Sequence, residues 1–373
     1  MRVVGAGILL FGLVAAQAQQ AAPSAGAEEH LRNGIEAQRR GDVATAISEY
    51  RMALSIEPKM LEARANLGSA LSAAGQFDAA IDEDSKALAQ SPGNIALKKN
   101  LGLAYYKKGD MAHAQPEFAA VHAARPSDIG TAILLGYADV KLGKATDAVA
   151  MLTPLEPGHE SNTDFEYVLA YALIQAGQQA EGLPRMEEVA LATHSADAYL
   201  IAGSARLPRR EYKEARADFD AAVELNPSLP ALWTLAGQAR DALGDTDAAR
   251  TAFEAALRQN PKDPDANLYL GAMKLKLGDF EGARPLLTLA LQLQPNMQQA
   301  QLQMARLNSM TGNYTDAAKA LEELEKNDPK WLDPHVELAA LYYKLHRPED
   351  GAREREIVQQ IEAQQQKAGP QSK

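Results

Sequence analysis

Histidine is the residue best suited to metal binding or proton transfer at neutral pH, and the seven in this chain are dispersed: His30, His113, His122, His159, His194, His335 and His346. No two stand at metal-ligand spacing, and no His-Glu-x-x-His run occurs. His113 and His122 fall on one expected helix, where steps of about 100° per residue put them on opposite sides. With no cysteine in 373 residues, thiolate metal sites, cysteine nucleophiles and disulfides are excluded. The acidic run Asp82, Glu83 and Asp84 reads as a solvated helix face rather than as paired carboxylates for acid–base work. Gly5-Ala6-Gly7 lies in an apolar leader and follows no strand, so it is no phosphate cradle. Asn313-Tyr314-Thr315 has the form of a glycosylation acceptor in an inter-helix turn, a three-residue match that is common by chance. The histidines therefore read as surface or packing residues, and no catalytic site, metal site or cofactor is expected.

Composition narrows the partners. The formal net charge is -11 and no dense run of Lys or Arg occurs, Arg209-Arg210 being only a doublet. Nucleic acid is therefore not an expected ligand, because phosphate binding needs a basic stripe that releases counterions. Hydrophobic residues make up 46% and charged residues 23%, the balance of a soluble chain able to bury a core. Abundant Ala, Leu, Glu and Gln favour helix.

The elements that position these side chains repeat. Pro58, Pro92 and Pro126 are spaced by 34 residues, as are Pro227, Pro261, Pro295 and Pro329. Counted from Ala27, the eighth position of each unit holds Gly34, Gly68, Gly102, Gly136, Ala170, Gly203, Gly237, Gly271, Ala305 and Ala339. The twentieth is small throughout, as at Ala80 and Ala249, and the twenty-fourth is large: Tyr50, Phe118, Leu152, Met186, Phe219, Phe253, Leu287 and Leu321, with Asp84 breaking the rule. Glycine inside a helix costs about 1 kcal/mol against alanine, so its recurrence implies close approach of two helices. Gly41-Asp42, Gly109-Asp110, Gly244-Asp245 and Gly278-Asp279 mark the turn inside each hairpin, glycine ending one helix and aspartate starting the next. The period predicts an all-α solenoid of stacked helical hairpins, ten units from 27–60 to 332–365, forming one elongated domain. The last unit carries Arg355 at the twenty-fourth position and reads as a solvating cap, followed by a polar tail over 366–373.

The register slips once: Ala170 to Gly203 is 33 residues, so one residue is missing between Val189 and Ala202. Nearby, Pro154 and Pro157 fall late in a second helix and Pro208 late in a first one, where proline interrupts helix hydrogen bonding. A local hinge or change of curvature is expected across repeats four to six. Pro116, Pro184 and Pro285 share one position near the start of a second helix, where a lost backbone bond is tolerated.

Residues 1–18 read as a signal peptide. Met1-Arg2 supplies a positive charge, Val3 to Ala16 is apolar, and Ala16-Gln17-Ala18 has the small-x-small form of a cleavage site. The expectation is a chain exported to the periplasm or medium, with an uncleaved N-terminal membrane anchor as the alternative. Residues 19–26 are expected to be a flexible linker.

These repeats resemble the tetratricopeptide repeat (TPR). Trp233, Gly237, Ala249, Phe253, Ala256 and Pro261 match its pattern, as do Leu101, Gly102, Tyr105, Ala114, Phe118 and Pro126, and the likeness covers residues 27 to 365. It implies a right-handed superhelix in which the first helix of each hairpin lines a concave groove. It assigns Lys99, Tyr106, Lys107, Tyr137, Lys141, Tyr167 and Tyr171 to that groove. Tyrosine gives large contact area at low entropy cost, and the lysines give a positive spot suited to a carboxylate or acidic peptide. The same tyrosines equally suit filling the space between neighbouring first helices. Asn66, Lys99 and Asn100 give only fragments of the family's carboxylate clamp, since Ser69, Leu103 and Tyr137 stand where asparagine would complete it. The expected function is a non-catalytic exported scaffold for a protein or extended peptide. A glycan or small-ligand receptor and an envelope assembly factor or chaperone are the alternatives.

Overall fold

The computed structural model describes residues 24–367, and the leader expected over residues 1–18 lies outside the described residues. Among the described residues there are twenty α-helices in consecutive pairs, two 3-10 turns and no strand. None of these helices is long and apolar enough to cross a membrane. The chain divides into two compact units, with the boundary at Thr193/His194, inside the stretch where the register loses a residue.

The first unit holds α1 (Ala25–Arg39), α2 (Val43–Ile56), α3 (Leu61–Ala73), α4 (Phe77–Gln90), α5 (Ile95–Lys108), α6 (Met111–Ala124), α7 (Ile129–Lys141), α8 (Ala145–Leu152), α9 (Thr163–Gln175) and α10 (Gln179–Thr193). The second holds α11 (Ala196–Arg206), α12 (Tyr212–Leu225), α13 (Leu232–Ala242), α14 (Thr246–Gln259), α15 (Pro264–Lys276), α16 (Phe280–Leu293), α17 (Gln298–Met310), α18 (Tyr314–Asn327), α19 (Leu332–Lys344) and α20 (Pro348–Lys367). Ser24 caps α1, so the last three residues expected in the linker belong to the first hairpin. At the other end α20 takes in the first two residues of the expected tail.

The turns obey local rules. Gly109 closes α5 with φ +86°, a left-handed angle that glycine adopts without a Cβ clash, and Asp110 then accepts a hydrogen bond from the His113 amide at 3.2 Å. Asp42, Asp245 and Asp279 cap α2, α14 and α16 in the same way. The displaced prolines act as expected. Helix α8 stops at Leu152 in a 3-10 turn over Thr153–Leu155, and α11 stops at Arg206 in another over Leu207–Arg209.

Each hairpin closes on the small eighth residue. Phe118 and Phe253 are fully buried, and a Cβ added to Gly102 or Gly237 would lie 2.8 or 2.5 Å from the facing ring. Burial of such a ring contributes about 1.5–3 kcal/mol per hairpin. The second repeat departs from this, and from the solvated acidic face expected for residues 82–84. Asp82 is exposed and pairs with Lys86, and Glu83 pairs with Arg64. Asp84, however, is 1% exposed and lies in the core against Gly68. Helical periodicity accounts for this: Asp84 holds the inward position that Tyr50 and Phe118 hold in neighbouring repeats.

Successive hairpins are stapled by a second recurring bond. The fourth residue of a repeat donates to the carbonyl of the proline that ends the preceding one: Arg64 to Pro58, Trp233 to Pro227, Asn267 to Pro261, and Gln301 to Pro295. The carbonyl follows the end of a helix, where the chain has no intrahelical donor to offer it.

Candidate functional site

First helices of adjacent hairpins pack side by side in the first unit, α3 against α5 and α7 against α9. The tyrosines lie on these first helices. Tyr106 lies near the end of α5, Tyr137 in α7, and Tyr167 and Tyr171 in α9. The rings form a continuous tract: Tyr106 meets Tyr137 edge-on at 5.8 Å between centroids, Tyr137 meets Tyr171 at 6.3 Å, and Tyr171 meets Tyr167 at 6.4 Å. Such separations and tilts suit aromatic pairs, each contributing about 0.5–1.5 kcal/mol beyond area burial.

The tract both packs and presents. Tyr137 and Tyr167 are buried, whereas Tyr106 and Tyr171 are half-buried and offer ring surface outward. Burial, followed by the negative charge of Asp164, raises the Tyr106 hydroxyl pKa above its ordinary value.

The three lysines part company. Lys99 is half-buried and its Nζ lies 2.7 Å from Asp128 Oδ2, the carboxylate that also caps α7 by accepting from the Thr131 amide. Burial opposes ionisation of Asp128, but the bonds from Lys99 and Thr131 outweigh it and hold the carboxyl below its usual range. Lys107 is exposed. Lys141, at the end of α7, places its ammonium 5.6 Å from the Tyr137 ring centre and 5.8 Å from that of Tyr171. Aromatic faces attract a cation without neutralising it. Among the described residues Lys141 pairs with no carboxylate, so its charge stays available to a ligand.

A second concavity lies in the second unit, where the lining holds no histidine and a single tyrosine. It has a volume of about 520 Å³ and is lined by Tyr269, Lys276, Arg306, Met310, Glu337 and Lys344 among others, from α15, α17 and α19. Tyr269 stacks on Phe253 at 5.2 Å, and Arg306 is engaged by Glu337 at 2.7 Å. The signal was present: Lys276, Met310 and Lys344 occupy the same position of their repeats as Lys141. The lining mixes both signs, with Asp241 and Glu337 set among Lys276, Arg306 and Lys344.

Sequence profiles of the tetratricopeptide repeat match residues 31–95, 196–229, 234–298 and 274–342. No curated protein matches the chain. Among solved structures, a tetratricopeptide repeat protein from Parabacteroides merdae superposes with a TM-score of 0.53 at 16% identity, covering 71% of this chain and 99% of that one. The human IFIT1 dimer with PPP-AAAA gives 0.49 at 15% identity, with 91% and 92% covered. Yeast Tom70 gives 0.38 at 14% identity, with 91% and 96% covered.

Proposed function

Because this chain belongs to the tetratricopeptide-repeat family, whose scaffold fits protein–protein interaction in general, we propose that it is a non-catalytic scaffold holding an extended, carboxylate-bearing peptide across α5, α7 and α9. One observation carries the reading: Lys141 is an exposed cation set against two tyrosine rings and, among the described residues, left without a carboxylate of its own. A preformed surface of this kind lowers the ordering cost of binding. Tyr106 and Tyr171 supply adjacent apolar area, and Lys141 fixes where the ligand's negative charge sits. The apolar leader of residues 3–16 supports export as part of the same proposal, and the N-terminal sequence of the chain recovered from cells tests it.

Fluorescence anisotropy with labelled synthetic peptides tests the binding. Acidic peptides of eight to twelve residues bind with saturation, their basic counterparts do not, and Tyr171→Ala weakens binding about tenfold or more. Equal binding of both peptide classes, or unchanged affinity in Tyr171→Ala, overturns the reading. Saturable binding of oligosaccharides in place of peptides moves the assignment to a glycan receptor.

A further inference from the structure

The hairpins of the second unit end in a cluster of a different kind. Glu325 near the end of α18, His335 in the first turn of α19 and Glu354 in α20 bring one ligand atom each within 4.8 Å of one another. His335 is 1% exposed and Glu354 6%, and the side chain of Glu325 is 30% exposed, which leaves one open side. His335 Nδ1 lies 2.7 Å from Glu354 Oε2 and 4.0 Å from Glu325 Oε1, while Nε2 lies 3.1 Å from the Pro329 carbonyl oxygen.

This geometry fixes the imidazole. A carbonyl oxygen only accepts, so Nε2 carries a proton and donates it to Pro329, as the fourth residue does in other repeats. Nδ1 of the neutral ring then faces Glu354 with a lone pair. Two lone pairs at 2.7 Å repel, so a cation belongs between them, a proton or a metal ion.

The same repeat positions are filled differently in the first unit. There Glu156, Glu166 and Arg185 come together, and Arg185 bridges both carboxylates at 2.6 and 3.0 Å. At the terminal junction Glu325 matches Glu156, but His335 stands where Glu166 does and Glu354 where Arg185 does, so the guanidinium is gone and two carboxylates face one imidazole, and among the described residues no Lys or Arg pairs with Glu325 or Glu354. The cation that the first junction supplies covalently is missing from the second.

We propose that His335 Nδ1, Glu325 and Glu354 form a site for a borderline divalent ion, with Zn²⁺ as the reference case, joining α18, α19 and α20. Zinc takes both imidazole nitrogen and carboxylate oxygen as ligands, and three protein ligands leave a fourth position for water on the open side. An Nε2–H held by a backbone carbonyl is the outer-shell bond that orients ligating histidines. Ligand distances of about 2.0–2.2 Å place tetrahedral ligand atoms roughly 3.3 Å apart. The 2.7 Å contact therefore opens and the 4.0 Å contact closes, each by less than about 1 Å, within side-chain reach.

The test is calorimetric titration of ZnCl2 into tag-free full-length chain first stripped with a chelator, with thermal unfolding followed in parallel. One equivalent of Zn²⁺ binds with saturation and raises the unfolding temperature. Glu325→Gln leaves the His335–Glu354 pair and the Pro329 bond in place, retains the helical circular dichroism of the parent, and weakens Zn²⁺ at least tenfold. His335→Asn weakens it as far or further. Absence of saturable binding, or parental affinity in Glu325→Gln, overturns the proposal and leaves a proton-sharing His–Glu pair.

Discussion

The carboxyl of Asp84 sits directly against the backbone of Gly68, in the space where Phe118 covers Gly102 and Phe253 covers Gly237. Neither of its oxygens has a hydrogen-bond partner. Burial, with a smaller contribution from the negative charge of Glu83, pushes the Asp84 pKa up to about 8. A carboxyl that stays protonated when folded but ionises when unfolded makes stability depend on pH. Below about pH 4 both states hold the proton and nothing is lost. From there to about pH 8 only the unfolded chain releases it, so stability falls across that window, by on the order of 3–5 kcal/mol. Hydrogen exchange in α3 and α4 measured from pH 5 to 9 follows this loss. Asp84→Leu, which restores the apolar group found at this position in other repeats, removes the slope and slows exchange at every pH.

The glycines of the eighth position act through contact rather than backbone freedom. Gly237→Ala gains about 1 kcal/mol of helix propensity, yet its Cβ would fall 2.5 Å from Phe253 Cε1 and 2.7 Å from Cδ1. Displacing a fully buried ring costs about 1–3 kcal/mol, so the net effect is destabilising. Gly130 is the control: it is also helical, and its nearest neighbour to an added Cβ is Asp128 Oδ1 at 3.4 Å. Denaturant midpoints decrease for Gly237→Ala and stay level or increase for Gly130→Ala.

What the sequence made legible was whatever repeats. The 34-residue period placed the hairpins, the Gly-Asp turns and the aromatic at the twenty-fourth position, because each depends on residues close in the chain. Pro154 and Pro208 ended helices where their missing donors required it. Contacts between distant residues stayed hidden. Asp84 looked like part of an acidic face until its helix was rotated against α3, and Lys99 looked like a groove cation although Asp128, one hairpin later, holds it. The Glu325–His335–Glu354 cluster spans three helices with no histidine pair to mark it. The division at Thr193/His194 rests on the three-dimensional packing of whole hairpins, and it falls in the stretch where the register loses a residue and the prolines are displaced.

Asn267 carries the proline staple in its most buried form. At 1% exposure its Nδ2 donates to the Pro261 carbonyl at 3.1 Å and to the Asp263 carbonyl at 2.7 Å. Asn267→Ala strips both carbonyls of this donor and opens a small void, costing about 1–3 kcal/mol. Asn267→Gln keeps the amide but moves it by one methylene, and recovers less than half of the loss. Hydrogen exchange at the start of α15 localises the effect to this junction.

Lys99 and Lys141 separate packing from recognition on one surface. Lys99 is held by Asp128, and Lys99→Met leaves that half-buried carboxylate at the cap of α7 unpaired. The expected cost is about 1 kcal/mol of stability with peptide affinity within twofold of the parent. Lys141 is exposed and forms no ion pair among the described residues, so Lys141→Met gives up only its contact with Tyr137 and Tyr171, about 0.5–1 kcal/mol. Its loss falls on binding instead: affinity for an acidic peptide drops about tenfold, and Lys141→Glu reduces it further by repulsion. Salt discriminates the two as well. Raising ionic strength from about 0.05 to 0.5 M weakens peptide binding to the parent and to Lys99→Met but changes Lys141→Met little, because an exposed charge pair is screened over a Debye length of about 10 Å or less. A salt dependence that persists undiminished in Lys141→Met would place the ligand's carboxylate at Lys107 instead.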